Sequence, residues 1–220
     1  DTPVIAVGER VFAGLRGRRG NEVAVLDAET GNEIRRFTGV DTKASLLYVD
    51  GLLVAGGFKT LRCVQPETGE VLWTFDVSYP ALVADSGRVF IQQKRRSTET
   101  VCLDVKTGKV IWRRDLPGQI VSCHDGILTT GGGGGIHAIN AETGEPKWHY
   151  EYTAPYHHAQ GTWLSNNLFI KDLIWIWESR HPSGMNPLYW VGLDAKTGSV
   201  RHRYVGNTHP RCTAEAATSN

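Results

Sequence analysis

The side chains able to do acid–base, nucleophilic or metal chemistry in this 220-residue sequence are eight histidines, four cysteines and a nearly balanced set of Lys, Arg, Asp and Glu. The densest run lies toward the end of the chain, where Tyr156, His157 and His158 are followed by His209, Arg211 and Cys212. An imidazole in such company could abstract a proton, ligate a divalent ion or hydrogen-bond a loop backbone, and a nearby guanidinium could neutralise a carboxylate. Geometry, not spacing, separates these roles. Cys63, Cys102, Cys123 and Cys212 lack the CxxC pairing of zinc and redox sites and are read as small buried side chains, with no disulfide pattern fixed by their positions. The glycines from Gly131 to Gly135 have no lysine after them and no helix to follow, so they fail as a phosphate-binding loop and read as a hairpin connection. His124, His137 and His149 fall in or beside strand-like segments and are expected to pack or hydrogen-bond there. No metal site is expected from these spacings.

Elements that could hold such residues follow from composition and period. Apolar residues make up 40% and charged residues 21%, and the 25 glycines are scattered among Val, Ile, Leu, Thr and Trp, a texture of short strands and tight turns. Formal net charge is +1, which predicts no global attraction to nucleic acid or to an acidic membrane surface. No stretch approaches the ~20 apolar residues of a membrane-spanning helix. The chain starts at Asp1 without a leader-like segment, the expectation for a mature chain or a piece of a longer one.

One pattern recurs five times: VAVLDAETGNEIRRF (23–37), LRCVQPETGEVLWTF (61–75), TVCLDVKTGKVIWRR (100–114), IHAINAETGEPKWHY (136–150) and VGLDAKTGSVRHRY (191–204). The turn glycines Gly31, Gly69, Gly108, Gly144 and Gly198 recur roughly every 40 residues, the period of a four-stranded propeller blade, with the last interval longer. Each unit divides into four strands, with tight first turns expected at Gly8-Glu9, Asp50-Gly51, Ser86-Gly87, Asp125-Gly126 and Asn166-Asn167. The expectation is an all-β chain: a single β-propeller domain over 1–220, in blades near 3–38, 44–76, 80–115, 119–151 and 157–205. A sixth starts at 209–220, making an open arc of a larger propeller.

Trp73, Trp112 and Trp148 stand four residues after three of the turn glycines, whereas Arg35 and His202 occupy that place in the first and fifth copies. The pattern apolar-Asp/Asn/Gln-x-x-Thr-Gly-x-x-x-Trp resembles the repeat of pyrroloquinoline-quinone (PQQ)-type propellers, which include quinoprotein alcohol dehydrogenases and the outer-membrane assembly lipoprotein with the same blades. The resemblance covers nearly the whole chain, and the HPRC…AT stretch is similar to bacterial PQQ-like propellers of planctomycete type. It implies that Trp73, Trp112 and Trp148 dock on the neighbouring blade near the Thr-Gly turns, that the chain is a fragment of a PQQ-binding-like repeat protein, and that it is exported to the periplasm or beyond.

Strand order alone assigns loops to faces. Connections between second and third strands and those between blades share one face, here the upper, which collects Arg16, Arg18, Arg19, Lys59, Lys94, Arg95, Arg96 and Arg180. Residues just before each inner strand reach the channel mouth on that face, which makes Lys43, Tyr79, Gln119, Tyr156, His157, His158, His209 and Arg211 the ligand-binding candidates, and His157, His209 and Arg211 the candidates for catalysis. Trp175, Trp177, Arg180, His181 and Tyr189 fit either a lip over the mouth or, the preferred reading, ordinary cover for an apolar edge.

Three functions fit. The first is a non-catalytic exported binding or scaffolding module for protein partners or anionic glycans, which needs only a broad rigid surface. The second is a cofactor-free lyase or hydrolase on acidic polysaccharide, using His157 or His209 as base. The third is a quinone-dependent dehydrogenase, for which the resemblance implies vicinal cysteines and a calcium site of Glu, Asn and Asp. No Cys-Cys pair occurs, so PQQ is not expected and no cofactor is predicted. The binding module is the preferred reading.

Overall fold

Alternation of apolar and polar residues between positive-φ turns sets the strands of the computed structural model, which describes residues 3–17, 20–43, 45–77, 80–93, 99–132, 134–152, 167–179 and 188–206. Twenty strands form five four-stranded antiparallel sheets, each a meander in chain order. The first holds β1 (Val4–Val7), β2 (Arg10–Gly17), β3 (Gly20–Asp27) and β4 (Glu33–Thr38). The second holds β5 (Ser45–Val49), β6 (Leu52–Gly56), β7 (Thr60–Val64) and β8 (Val71–Asp76), and the third β9 (Pro80–Asp85), β10 (Arg88–Gln93), β11 (Glu99–Asp104) and β12 (Val110–Asp115). The fourth comprises β13 (Gln119–His124), β14 (Ile127–Gly132), β15 (Gly135–Asn140) and β16 (Pro146–Glu151). The fifth comprises β17 (Leu168–Ile170), β18 (Leu173–Ser179), β19 (Leu188–Asp194) and β20 (Val200–Gly206). The architecture is all-β and blade-like, as the repeat predicts. The chain divides into two compact units, Asp1–Asp115 and Leu116–Asn220, each treated below by itself.

Five turns are near copies. In each, the glycine amide donates to the carbonyl four residues back: Gly31 to Asp27, Gly69 to Gln65, Gly108 to Asp104, Gly144 to Asn140 and Gly198 to Asp194, at 2.8–2.9 Å. Their φ values lie between 68° and 78°, a left-handed region that favours glycine. Asp27 and Asp104 each accept from the Thr amide and hydroxyl three residues on at 2.7 Å, and Asp194 does so at 3.0 Å. Those donors hold all three carboxyls below the ordinary range, the Thr hydroxyl being the largest cause.

Three residues after each glycine the outer strand gains an unpaired residue. Register shifts at Val25/Leu26, Cys63/Val64, Cys102/Leu103, Ala138/Ile139 and Gly192/Leu193 leave Ile34, Leu72, Ile111, Lys147 and Arg201 without a partner. Such a bulge re-aims the side chains beyond it, bringing Trp73, Trp112 and Trp148 opposite Cys63, Cys102 and Ala138. The small cross-strand neighbours leave room for the indoles.

Sheets pack face to face within each unit. In the first, Phe12, Val23, Phe37, Leu46, Leu53 and Val64 belong to one buried cluster shared by the first two sheets, and Val54, Leu61, Cys63, Val89, Ile91 and Leu103 to another shared by the second and third. In the second unit, Ile136, Ala138, Tyr150, Ile174, Ile176, Val191 and Leu193 join the fourth sheet to the fifth. At roughly 1.5–3 kcal/mol for each fully buried large aliphatic or aromatic side chain, these clusters dominate the stability of the junctions.

Two sequence expectations change. The first hairpin of the fifth sheet turns at Lys171-Asp172, not Asn166-Asn167, and Lys171 takes φ 56°. Gly131, Gly132 and Gly135 pair within β14 and β15, so most of that glycine run is strand. The proposed start of a sixth blade lies outside the described residues.

Candidate functional site

Of the mouth candidates, Lys43 and Gln119 are described, one in each unit. Asp41 accepts the Lys43 amide at 3.1 Å, and its carboxylate lies where a Cβ on Gly57 would be, 2.6 Å away. The next residue, Thr42, is buried against Gly14. This packing leaves Lys43 exposed, with its Nζ 5.7 Å from the centre of the Phe58 ring, itself exposed beside Lys59. Gln119 is exposed at the start of β13, opposite Gly131, after a turn in which Gly118 has φ 77°. Tyr79, Tyr156, His157, His158, His209 and Arg211 lie outside the described residues, as do Arg18, Arg19, Lys94, Arg95, Arg96, Arg180 and His181.

A buried polar ring formed by residues outside the mouth candidates occupies the upper end of the second unit. Glu178 lies in β18 rather than in a loop, 3% exposed. Tyr150 donates its hydroxyl to Glu178 Oε1 at 2.7 Å, Arg203 Nη1 donates to Oε2 at 3.0 Å, and Arg203 Nη2 donates to the Tyr150 oxygen at 3.0 Å. The guanidinium also sits 5.6 Å from the centre of the Tyr189 ring. Both Glu178 oxygens are thus occupied, by a phenol and by a cation, which is what a buried carboxylate requires. Tyr152 sits edge-on to Tyr150, and its hydroxyl is pushed up by burial and then by the Glu178 charge. The signal was present as period: Ile174, Ile176 and Glu178 alternate onto one strand face, the first two buried.

Trp73 and Trp148 adopt a common docking geometry. Trp73 Nε1 donates to the Val105 carbonyl at 2.7 Å, and its ring lies 2.7 Å from where Gly108 would carry a Cβ. Trp148 Nε1 donates to Ala195 at 2.9 Å, with its ring 2.6 Å from the corresponding point on Gly198. Arg35 stands opposite Val25 at the first sheet's tryptophan position, but Phe37, two residues further along the same face, covers Gly69 instead. Trp112 is buried and tilted against Phe90, 5.8 Å between ring centres.

Trp175 is not part of a lip. Its indole crosses Gly192 in mid-sheet and stacks with His202 and Tyr204, 5.9 Å to each. His137 and His149 face each other across β15 and β16, ring centres 4.1 Å apart and planes 10° apart. Burial, and next the neighbouring imidazole, lowers the His137 pKa. Cys63 and Cys102 are buried free thiols pushed up to about 11 and about 12 by burial, and Cys123 is partly buried. Among the described residues no three His, Cys, Asp or Glu side chains cluster, and Cys63 and Cys102 belong to separate sheets.

Repeated blades, glycine turns and aromatic docking define a PQQ-type propeller repeat. Residues 18–96 and 57–219 match the family model described as outer membrane protein assembly factor BamB, and the chain belongs to that family. It is 27% identical over 149 residues to the dehydrogenase subunit of the quinone-type alcohol dehydrogenase of Acetobacter aceti, 51% of this chain and 20% of that protein. The structure of BamB from Moraxella catarrhalis superposes with a TM-score of 0.58 at 16% identity, covering 94% of this chain and 64% of that one. The quinohemoprotein alcohol dehydrogenase of Comamonas testosteroni gives 0.58 at 15% identity, covering 92% and 42%. The chain therefore spans a fifth of the curated dehydrogenase subunit and under two thirds of the BamB chain.

Proposed function

We propose that this chain is part of an exported, non-catalytic propeller that binds or scaffolds other proteins in the periplasm or outside the cell. The observation that carries this reading is the division of labour among its side chains. The buried Tyr150 and Glu178 and the part-buried Trp73, Trp148 and Arg203 are engaged in joining sheets, while the outer strands of the first unit expose Ile34, Val71, Leu72, Val110 and Ile111. A rigid frame with apolar side chains on its outer strands suits protein partners. Family membership supports the same reading and the same compartment. Among the described residues no helix is long and apolar enough to cross a membrane. The preference for an anionic glycan rests on basic loops that lie almost wholly outside the described residues, so a protein is the partner proposed. No cofactor is proposed, since the vicinal cysteines that the family resemblance implies for PQQ do not occur in this sequence.

A photo-crosslinking residue at Leu72 or Ile111, introduced in the native cell envelope, tests this. A discrete protein adduct absent from the same probe at Lys147 is expected. No adduct, together with retention of PQQ and Ca2+ by the purified protein, would overturn the reading.

A further inference from the structure

His137 and His149 are the two imidazoles of the fourth sheet whose rings meet directly. Ser122 and Thr129 hydrogen-bond each other, Thr130 donates to the Pro117 carbonyl, and the Asn140 side chain caps its turn. Neither imidazole has a hydrogen bond or ion pair with any described residue, and the contact between the two rings is direct. They sit at opposed register positions of β15 and β16. Their face is opposite to the one on which Ile136, Ala138 and Tyr150 pack against the fifth sheet, so the junction does not need them. Gly135, two residues before His137, lies under this pair: a Cβ there would meet the Tyr150 carbonyl at 2.1 Å and His149 Nε2 at 2.6 Å. His149 is exposed and His137 half-buried, which leaves the pair open to solvent.

We propose that His137 and His149 form a binding site for one divalent transition-metal ion of the imidazole-preferring class. Two nitrogens that share an ion at ~2.0–2.1 Å must lie within about 4 Å of each other. Rings centred 4.1 Å apart on neighbouring strands reach that with rotation about their own side-chain bonds. No third His, Cys, Asp or Glu completes a cluster among the described residues, so water fills the remaining positions and the ion exchanges. Such a site ranks ions by intrinsic affinity, with Cu2+ above Ni2+ and Zn2+. The bound ion bridges β15 and β16 and stabilises the folded chain in proportion to its occupancy.

The test is calorimetric titration of the metal-free full chain with CuCl2 near neutral pH, paired with electron paramagnetic resonance of the loaded protein. One equivalent of Cu2+ is expected, with hyperfine splitting from two imidazole nitrogens and a raised Tm. His149→Ala should weaken binding at least tenfold and abolish the Tm rise, and His202→Ala should change neither. Cu2+ binding retained within threefold in His149→Ala would place the ion elsewhere and overturn the proposal, as would no saturable binding to the unaltered chain. His149 is exposed, so its variant is expected to keep the native circular dichroism; should His137→Ala fail to fold, the His149 variant and the two-nitrogen signature still decide.

Discussion

Where the second sheet meets the third, Arg113 lies over the Phe75 ring, 5.9 Å from its centre, and reaches Glu99 at 3.5 Å with both charged side chains about half exposed. Where the fourth meets the fifth, Tyr150 holds the register position of Phe75 and Arg203 that of Arg113, but the carboxylate is Glu178, whose side chain is 1% exposed. Both junctions share the lower lock, an indole hydrogen-bonded to a carbonyl and laid on a turn glycine. They differ at the upper end by one phenol oxygen and one strand position. The phenol turns an exposed cation–ring contact and a loose surface pair into a closed ring of three hydrogen bonds, and only such a ring lets a carboxylate stay buried. One repeat thus supports two kinds of junction, apolar in the first unit and polar in the second.

The largest expected effect tests the common part. Trp73→Ala and Trp148→Ala should each cost about 3–5 kcal/mol in urea unfolding, and losses that differ severalfold would mean the lower lock is not shared. Next comes the part that differs. Glu178→Ala leaves Arg203 and the Tyr150 hydroxyl without their acceptor and should cost about 3 kcal/mol, whereas Glu99→Ala should cost no more than about 0.5 kcal/mol. Tyr150→Phe opens the ring while keeping the aromatic packing, and about 1–2 kcal/mol is expected. The smallest effect concerns pH. Asp27, Asp104 and Asp194 are held below their usual pKa in the folded chain, so their contribution is complete above about pH 4. It is lost as pH falls through their folded values. Asp104→Asn should therefore unfold with a shallower pH dependence below pH 4 and an unchanged one at neutrality, read by circular dichroism in an acid titration.

The repeat and its turns were legible because Thr-Gly recurs with a fixed chemistry: a glycine that must take positive φ and an Asp or Asn that caps the turn. Tryptophan docking was legible through the family resemblance. The bulge before each docking residue was not, since it shows only in pairing, and neither was Phe37, which covers Gly69 from two residues beyond the expected place. Glu178 was not legible as a buried carboxylate, because only the alternation with Ile174 and Ile176 marks it as an inward strand residue. His137 and His149 are twelve residues apart in sequence and meet only through the register of β15 and β16. The mouth residues His157, His209 and Arg211 remain functional candidates on sequence grounds alone.

A double-mutant cycle on Tyr150→Phe and Arg203→Met, set beside one on Phe75→Leu and Arg113→Met, tests most directly whether the two junctions are held differently. A coupling of about 1–3 kcal/mol in the second unit and under about 0.5 kcal/mol in the first is the predicted result. Equal couplings at the two junctions would contradict it, leaving Glu178 buried without a structural role to explain it.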